Sequence, residues 1–100
     1  MSRKLRNLRA AREEFAAAVQ WFEEQRAGLG AEFYDEVIAT TARLEALPES
    51  GSPISRDGLT RRLLLARFPY QVVYRLTPTE IVVLAVAHLK RRPNYWKDRK

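Results

Sequence analysis

No cysteine occurs among the 100 residues of the chain, so neither a disulfide nor a thiolate-ligated metal can take part in its stability or chemistry. A single histidine, His88, is too few nitrogen ligands for a protein-only zinc or iron site, and neither a metal nor another cofactor is expected. Long apolar runs are missing as well. The longest, Ile81 to Ala87, stops at seven residues, and neither terminus carries an apolar stretch fit for a signal peptide or a membrane span. The expectation is a soluble, cytoplasmic protein with no membrane partner. Internal repeats are absent too, and a chain this short buries about two thirds of its unfolded surface around one core. Residues 1–100 therefore read as a single domain.

Acidic residues are absent from the first twelve positions, and charge is distributed unevenly thereafter. Met1 to Arg12 holds five basic residues and no acid, a balance of +5. Glu13 to Ser50 holds nine acids against Arg26 and Arg43, a balance of −7. Gly51 to Lys100 holds eleven basic residues against Asp57, Glu80 and Asp98, a balance of +8, and the three blocks sum to the net +6. Polarity of this kind concentrates positive potential on part of the surface and steers an anionic partner, a nucleic acid or an acidic peptide, towards it.

Apolar periodicity organises the first half of the chain. Phe15, Ala18, Val19 and Phe22 recur at i, i+3, i+4 and i+7, which predicts an amphipathic helix from about Ala10 to Arg26, with Glu13, Glu14, Glu23 and Glu24 largely off the stripe. Gly28 follows the last turn, where a positive φ is wanted. Phe33, Val37, Thr41, Leu44 and Leu47 then repeat every three or four residues until Pro48 closes the run, a second helix antiparallel to the first. Glu49 to Gly58, rich in Gly, Pro and Ser, reads as a surface loop.

Beyond that loop the period changes to two. Leu59, Arg61, Leu63 and Leu65 share one strand face, Pro69 marks a turn, and Tyr70, Val72, Tyr74 and Leu76 alternate along the next strand. Thr77 to Glu80 turns the chain once more. Ile81 to Ala87 shows no polar alternation, as in a central strand covered on both faces. From Arg3 to Leu8, Leu5 and Leu8 do not alternate cleanly, and periodicity alone does not set a strand there. Trp21, Tyr70 and Tyr74, lying within apolar periodicity, are expected in or beside the core. Tyr95 and Trp96 follow Pro93 in a charged segment, where they either pin the tail to the sheet or stay available to a partner.

Several short motifs carry a resemblance. Ala10 to Phe15, Trp21 to Arg26 and Gly28-Leu29-Gly30 make up the hairpin text; Arg61-Arg62, Phe68-Pro69-Tyr70, Val73-Tyr74-Arg75 and Val83 to His88 make up the sheet text. In this order they resemble the RelE/ParE superfamily of bacterial type II toxins over nearly the whole chain. The resemblance implies an α+β, two-layer fold, β-α-α-β-β-β, with a helical hairpin packed on a small antiparallel sheet. It also implies a cognate antitoxin as partner and a toxin-antitoxin hetero-oligomer.

Two chemistries divide that superfamily. Members that cut messenger RNA on the ribosome place basic residues at alternating positions of the second strand, another after the tyrosine opening the third, and a base and a tyrosine after the last strand. Such groups suit the reaction, since cleaving RNA requires a base for the 2′-hydroxyl, an acid for the leaving oxygen and cations around the phosphorane. Arg62 matches the first basic position, but Leu64 and Gln71 fall on the next two and Leu89 stands six residues before Tyr95. The ParE-like branch, which poisons DNA gyrase by binding and with no catalytic set of its own, is the closer likeness. The expected surface for gyrase or the antitoxin comprises Arg61, Arg62, Arg67 and Arg75 on the sheet, with Lys90, Arg91, Arg92, Tyr95 and Trp96 in the tail. Arg62, His88 and Tyr95 form the alternative, catalytic set of a messenger-RNA endonuclease acting on the ribosome, and an inactive relic that keeps only antitoxin binding is the remaining alternative.

Overall fold

A computed structural model describes residues 3–100. In chain order its elements are β1 (Lys4–Asn7), α1 (Arg9–Gln25), α2 (Leu29–Ala46), β2 (Ser52–Pro53), β3 (Thr60–Leu64), β4 (Tyr70–Leu76) and β5 (Glu80–His88). The two helices pack as a hairpin against one face of the sheet, the α+β arrangement expected, and no helix among the described residues is long and apolar enough to cross a membrane.

The sheet departs from the expected one in two details. Strand order is β1-β5-β4-β3-β2, and β1 joins β5 in parallel, with Leu5 opposite Ile81, so the sheet is mixed rather than wholly antiparallel. A strand of four residues carries no signal of direction; only the position of its partner decides that. Within the expected loop, Ser52 and Pro53 pair with Arg62 and Arg61 as a minimal edge strand, a place where proline's missing N–H does no harm.

Both helices follow their apolar stripes. Ala11, Ala18 and Phe22 are buried on α1, and Gly30, Phe33, Val37, Thr40 and Leu44 on α2. Gly30 lets the helices approach closely, because a Cβ there would lie 2.6 Å from the Val19 carbonyl oxygen. Gly28 takes φ of 90° between them, the conformation anticipated at that position. Two stripe residues fall elsewhere: Thr40 rather than Thr41 is the buried threonine, and Leu47, past the last helical turn, is exposed. Trp21 is also a correction, 54% exposed on α1 with its edge against Phe22, since it stands one position off the buried stripe.

Beneath the helices, Phe22, Phe33, Phe68 and Tyr70 pack edge-to-face or tilted around Val72, Tyr74, Ile81, Val83 and Val86. The β-branched residues of β4 and β5 suit this pleated interior. A register shift beside Val73 and Tyr74 leaves Leu84 unpaired between Val83 and Ala85, so that Leu84 and Ala85 both face the far side of the sheet. There a second cluster forms from Leu8, Val73, Val82, Leu84, Ala85 and Ala87, and Trp96 closes it. β5 is thus buried on both faces from Ile81 to Ala87, as its unbroken apolar run requires.

Candidate functional site

Strand register decides which arginines share a surface. On the face turned away from the helices, Arg6, Val82, Arg75 and Thr60 form one row across four strands, and Ala85, Val73 and Arg62 another. Arg61 belongs to the opposite parity, opposite Tyr74, and turns towards the end of α2. Its guanidinium donates to the carbonyls of Gly58, Glu49 and Gly51 at 3.0, 3.0 and 2.9 Å, which fastens the loop after α2. Arg67 leaves the sheet altogether, pairing from the β3–β4 turn with Glu32 at 3.4 Å and Glu36 at 3.2 Å on α2.

The helix-free face holds an open cavity of about 500 Å³ whose floor is Ile54, Val82, Leu84 and Trp96 and whose walls carry Arg6, Arg75, Lys97, Arg99 and Lys100. Apolar floor and cationic rim together suit an amphipathic anionic partner. Three of these cations are held in place by carboxylates. Arg6 forks onto Glu80 at 3.0 and 3.3 Å. Arg75 donates to Asp57 and to the Thr60 hydroxyl, both at 2.8 Å. Asp57 is also bonded by the Ser55 hydroxyl at 2.6 Å and the Leu59 amide at 2.9 Å. Arg75 first, then those two donors, hold the Asp57 carboxyl well below the usual carboxylate range.

Pro93 and Asn94 turn the chain after β5 back over the sheet, Asn94 with φ of 64°, a left-handed conformation that asparagine tolerates. Trp96 is buried in the second cluster by that turn. Tyr95 stands upright beside it, its ring between the guanidinium of Arg91, 4.1 Å from the ring centre, and that of Arg99, 4.9 Å away. The Tyr95 hydroxyl donates to Glu14 at 2.8 Å. Burial first, then this bond to a carboxylate, raises the tyrosine's pKa strongly. Glu14 also takes both Nη atoms of Arg99 at 3.0 Å, which raises the arginine's pKa, and lies 3.7 Å from Arg91. His88 faces the helix side, its ring 5.2 Å from that of Tyr70, and its Nδ1 accepts the Lys90 amide at 3.0 Å.

A family model described as the ParE toxin of the type II toxin-antitoxin system, parDE, matches residues 5–93. The chain belongs to the ParE toxin family. It is also similar in fold to a solved structure described as the chromosomal ParDE TA system from P. aeruginosa, with a TM-score of 0.75 and 18% identity over 87% of this chain and 96% of that one. No curated protein is a match.

In this ParE-family toxin the residues singled out from the sequence fall into separate places. Arg62 and Arg75 share the helix-free face; Arg61 and Arg67 serve the loop after α2 and α2 itself. Lys90 and Arg92 are exposed beyond β5 and make no ion pair among the described residues, whereas Arg91 stacks on Tyr95. Of the two readings for the tail aromatics, Trp96 takes the pinning one. Glu14 and Asp57 were not legible as site residues. Glu14 meets groups 72 to 85 positions away, and its place off the apolar stripe of α1 gave only the signal of a solvated face.

Proposed function

We propose that this toxin arrests growth by gripping a macromolecule, DNA gyrase being the target the residues favour, and that a cognate antitoxin neutralises it in a hetero-oligomeric complex in the cytoplasm. The observation that carries this reading is the dispersal of the alternative catalytic set. Arg62 lies on the helix-free face with a 3.3 Å bond to Gln71, His88 lies on the helix side, and the Tyr95 hydroxyl is spent on Glu14. In-line cleavage of RNA needs acid, base and cation within one ligand's reach, which three side chains on different surfaces do not offer. A binding poison needs shape, charge and anchors. The face bearing Arg62 and Arg75, the basic cavity beside them, and Lys90, Arg92, Lys97 and Lys100, which make no ion pair among the described residues, supply those. The ParDE description of the similar solved structure supports an antitoxin as partner.

Supercoiling by purified gyrase in the presence of the toxin tests the target. Loss of supercoiling with intact transcripts in induced cells agrees with the proposal; codon-phased cleavage mapped by primer extension returns the ribosome and messenger RNA as targets. Co-purification with the protein encoded beside this one tests the antitoxin.

A further inference from the structure

The cavity on the helix-free face is a product of strand register. Val82 stands in β5 with Arg6 opposite it on β1 and Arg75 opposite it on β4, so its side chain lies between two guanidinium-bearing neighbours on strands about 4.8 Å to either side. The bulge adds Leu84 to the same face, and Ile54 and Trp96 complete an apolar floor. None of Arg62, His88 and Tyr95, the alternative catalytic set, lines it. Its volume of about 500 Å³ falls within the range of about 300–1,000 Å³ that small-molecule sites occupy.

Charge at the rim is held in place. Arg6 spends Nε and Nη2 on Glu80, which leaves Nη1 without a partner among the described residues. Arg75 spends Nη1 on Thr60 and Nη2 on Asp57, which leaves Nε. Glu80 and Asp57 thus cancel one charge each but orient the donors that remain. Lys97 adds a charge with no ion pair among the described residues, and no acidic side chain lines the cavity. Asn94 lines it as well, its carboxamide making no hydrogen bond among the described residues.

We propose that this cavity binds a mononucleotide, its flat ring on Val82, Leu84 and Trp96 and its phosphates against Arg6, Arg75 and Lys97. The floor requires an apolar surface, and the unspent N–H groups require an oxyanion with several acceptor oxygens. Asn94, which carries both a donor and an acceptor, suits a ring edge with polar atoms. A fatty acid meets the first two conditions and leaves Asn94 idle; inorganic phosphate meets only the second. The site depends neither on gyrase nor on the antitoxin.

Calorimetric titration with ADP tests the site, together with the indole resonance of Trp96, identified as the one that persists in Trp21→Phe. ADP should bind saturably and move that resonance, while adenosine and pyrophosphate, each one part of the ligand, should bind at least about tenfold more weakly. Lys97→Glu should weaken ADP about tenfold, the size of one charge-assisted bond. Arg43→Glu, the same change of charge on α2, should leave ADP binding as it was. Both side chains are exposed, so neither change should unfold the chain. Pyrophosphate binding as tightly as ADP, or equal losses in the two variants, would reduce the site to a general attraction for anions and overturn the proposal. Absence of binding up to about 10 mM ADP would overturn it as well. A single-stranded pentanucleotide that binds about tenfold better than ADP, and is weakened by Lys97→Glu, would assign the cavity to nucleic acid and remove the mononucleotide as its occupant. The supercoiling assay decides gyrase separately, so the two readings fail independently.

Discussion

The hydroxyl of Tyr74, at the centre of the sheet, accepts the Gly51 amide at 2.9 Å and donates to the Pro48 carbonyl at 2.8 Å, tying the chain just after α2 to β4. Burial of that phenol raises its pKa, and the bond it accepts from Gly51 is buried. Tyr74→Phe keeps the ring and strands a buried N–H, a loss of about 1–3 kcal/mol. Gly51→Ala is expected to cost at least as much, because a Cβ there would lie 2.5 Å from the Tyr74 hydroxyl and 2.7 Å from the Arg62 carbonyl oxygen. Urea titrations of the two variants check both values.

Glu23 supplies the cap that α2 lacks in its own sequence. Gly28 at the N-cap position has no side chain, and the carboxylate of Glu23 on α1 accepts the amides of Gly28 at 2.9 Å and Gly30 at 3.0 Å. Negative charge at that end of the helix is favourable in addition to the bonds. Glu23→Ala should lose about 1 kcal/mol, in the range of a deleted N-cap, with a matching fall in thermal midpoint.

Charge reversal separates two adjacent arginines. Arg61→Glu places a carboxylate against three carbonyl oxygens and should destabilise the fold by about 1–3 kcal/mol. Arg62→Glu, exposed on the helix-free face, should stay within about 0.5 kcal/mol of the parent. It should nevertheless weaken the antitoxin complex and reduce its sensitivity to salt. Thermal unfolding and a binding titration at two ionic strengths, carried out on both variants, distinguish the residue that builds the surface from the one that presents it.

Acid should loosen the loop that carries Asp57. A carboxyl held below its ordinary value, about 3.9, stabilises the folded state wherever it is ionised. Its contribution is complete above the ordinary value and falls as the pH drops towards the lower folded one. The difference in thermal midpoint between the parent and Asp57→Asn should therefore stay constant from pH 7 to about 5 and close below about 4. A gap that narrows already between pH 7 and 5 would show that another group governs the loop.

What the sequence revealed follows the range over which each signal acts. Alternation grouped Leu63 with Leu65 and Tyr70 with Val72 and Tyr74 on one face of their strands, the faces that pack beneath the helices, and the unbroken run of β5 announced burial on both faces; these are properties of neighbours in the chain. Arg61 sits in the same alternation as Leu63, yet its occupation with three carbonyls depends on where the loop from Glu49 to Gly58 returns. Trp21 shows the converse, a large aromatic one position off its stripe and turned to solvent. Glu14 was least legible of all. Its partners at Val86, Tyr95 and Arg99 meet it only once both helices, the bulged end of β5 and the tail have been assembled.

The parallel pairing of β1 with β5 has a kinetic consequence. Leu5 finds Ile81 only after a loop spanning most of the chain has closed, whereas β3, β4 and β5 join through short turns. The meander should therefore be formed at the rate-limiting step and β1 should dock afterwards. Leu5→Ala should then hasten unfolding while leaving the refolding rate almost untouched, a division that stopped-flow measurements in urea read from the two limbs of one plot.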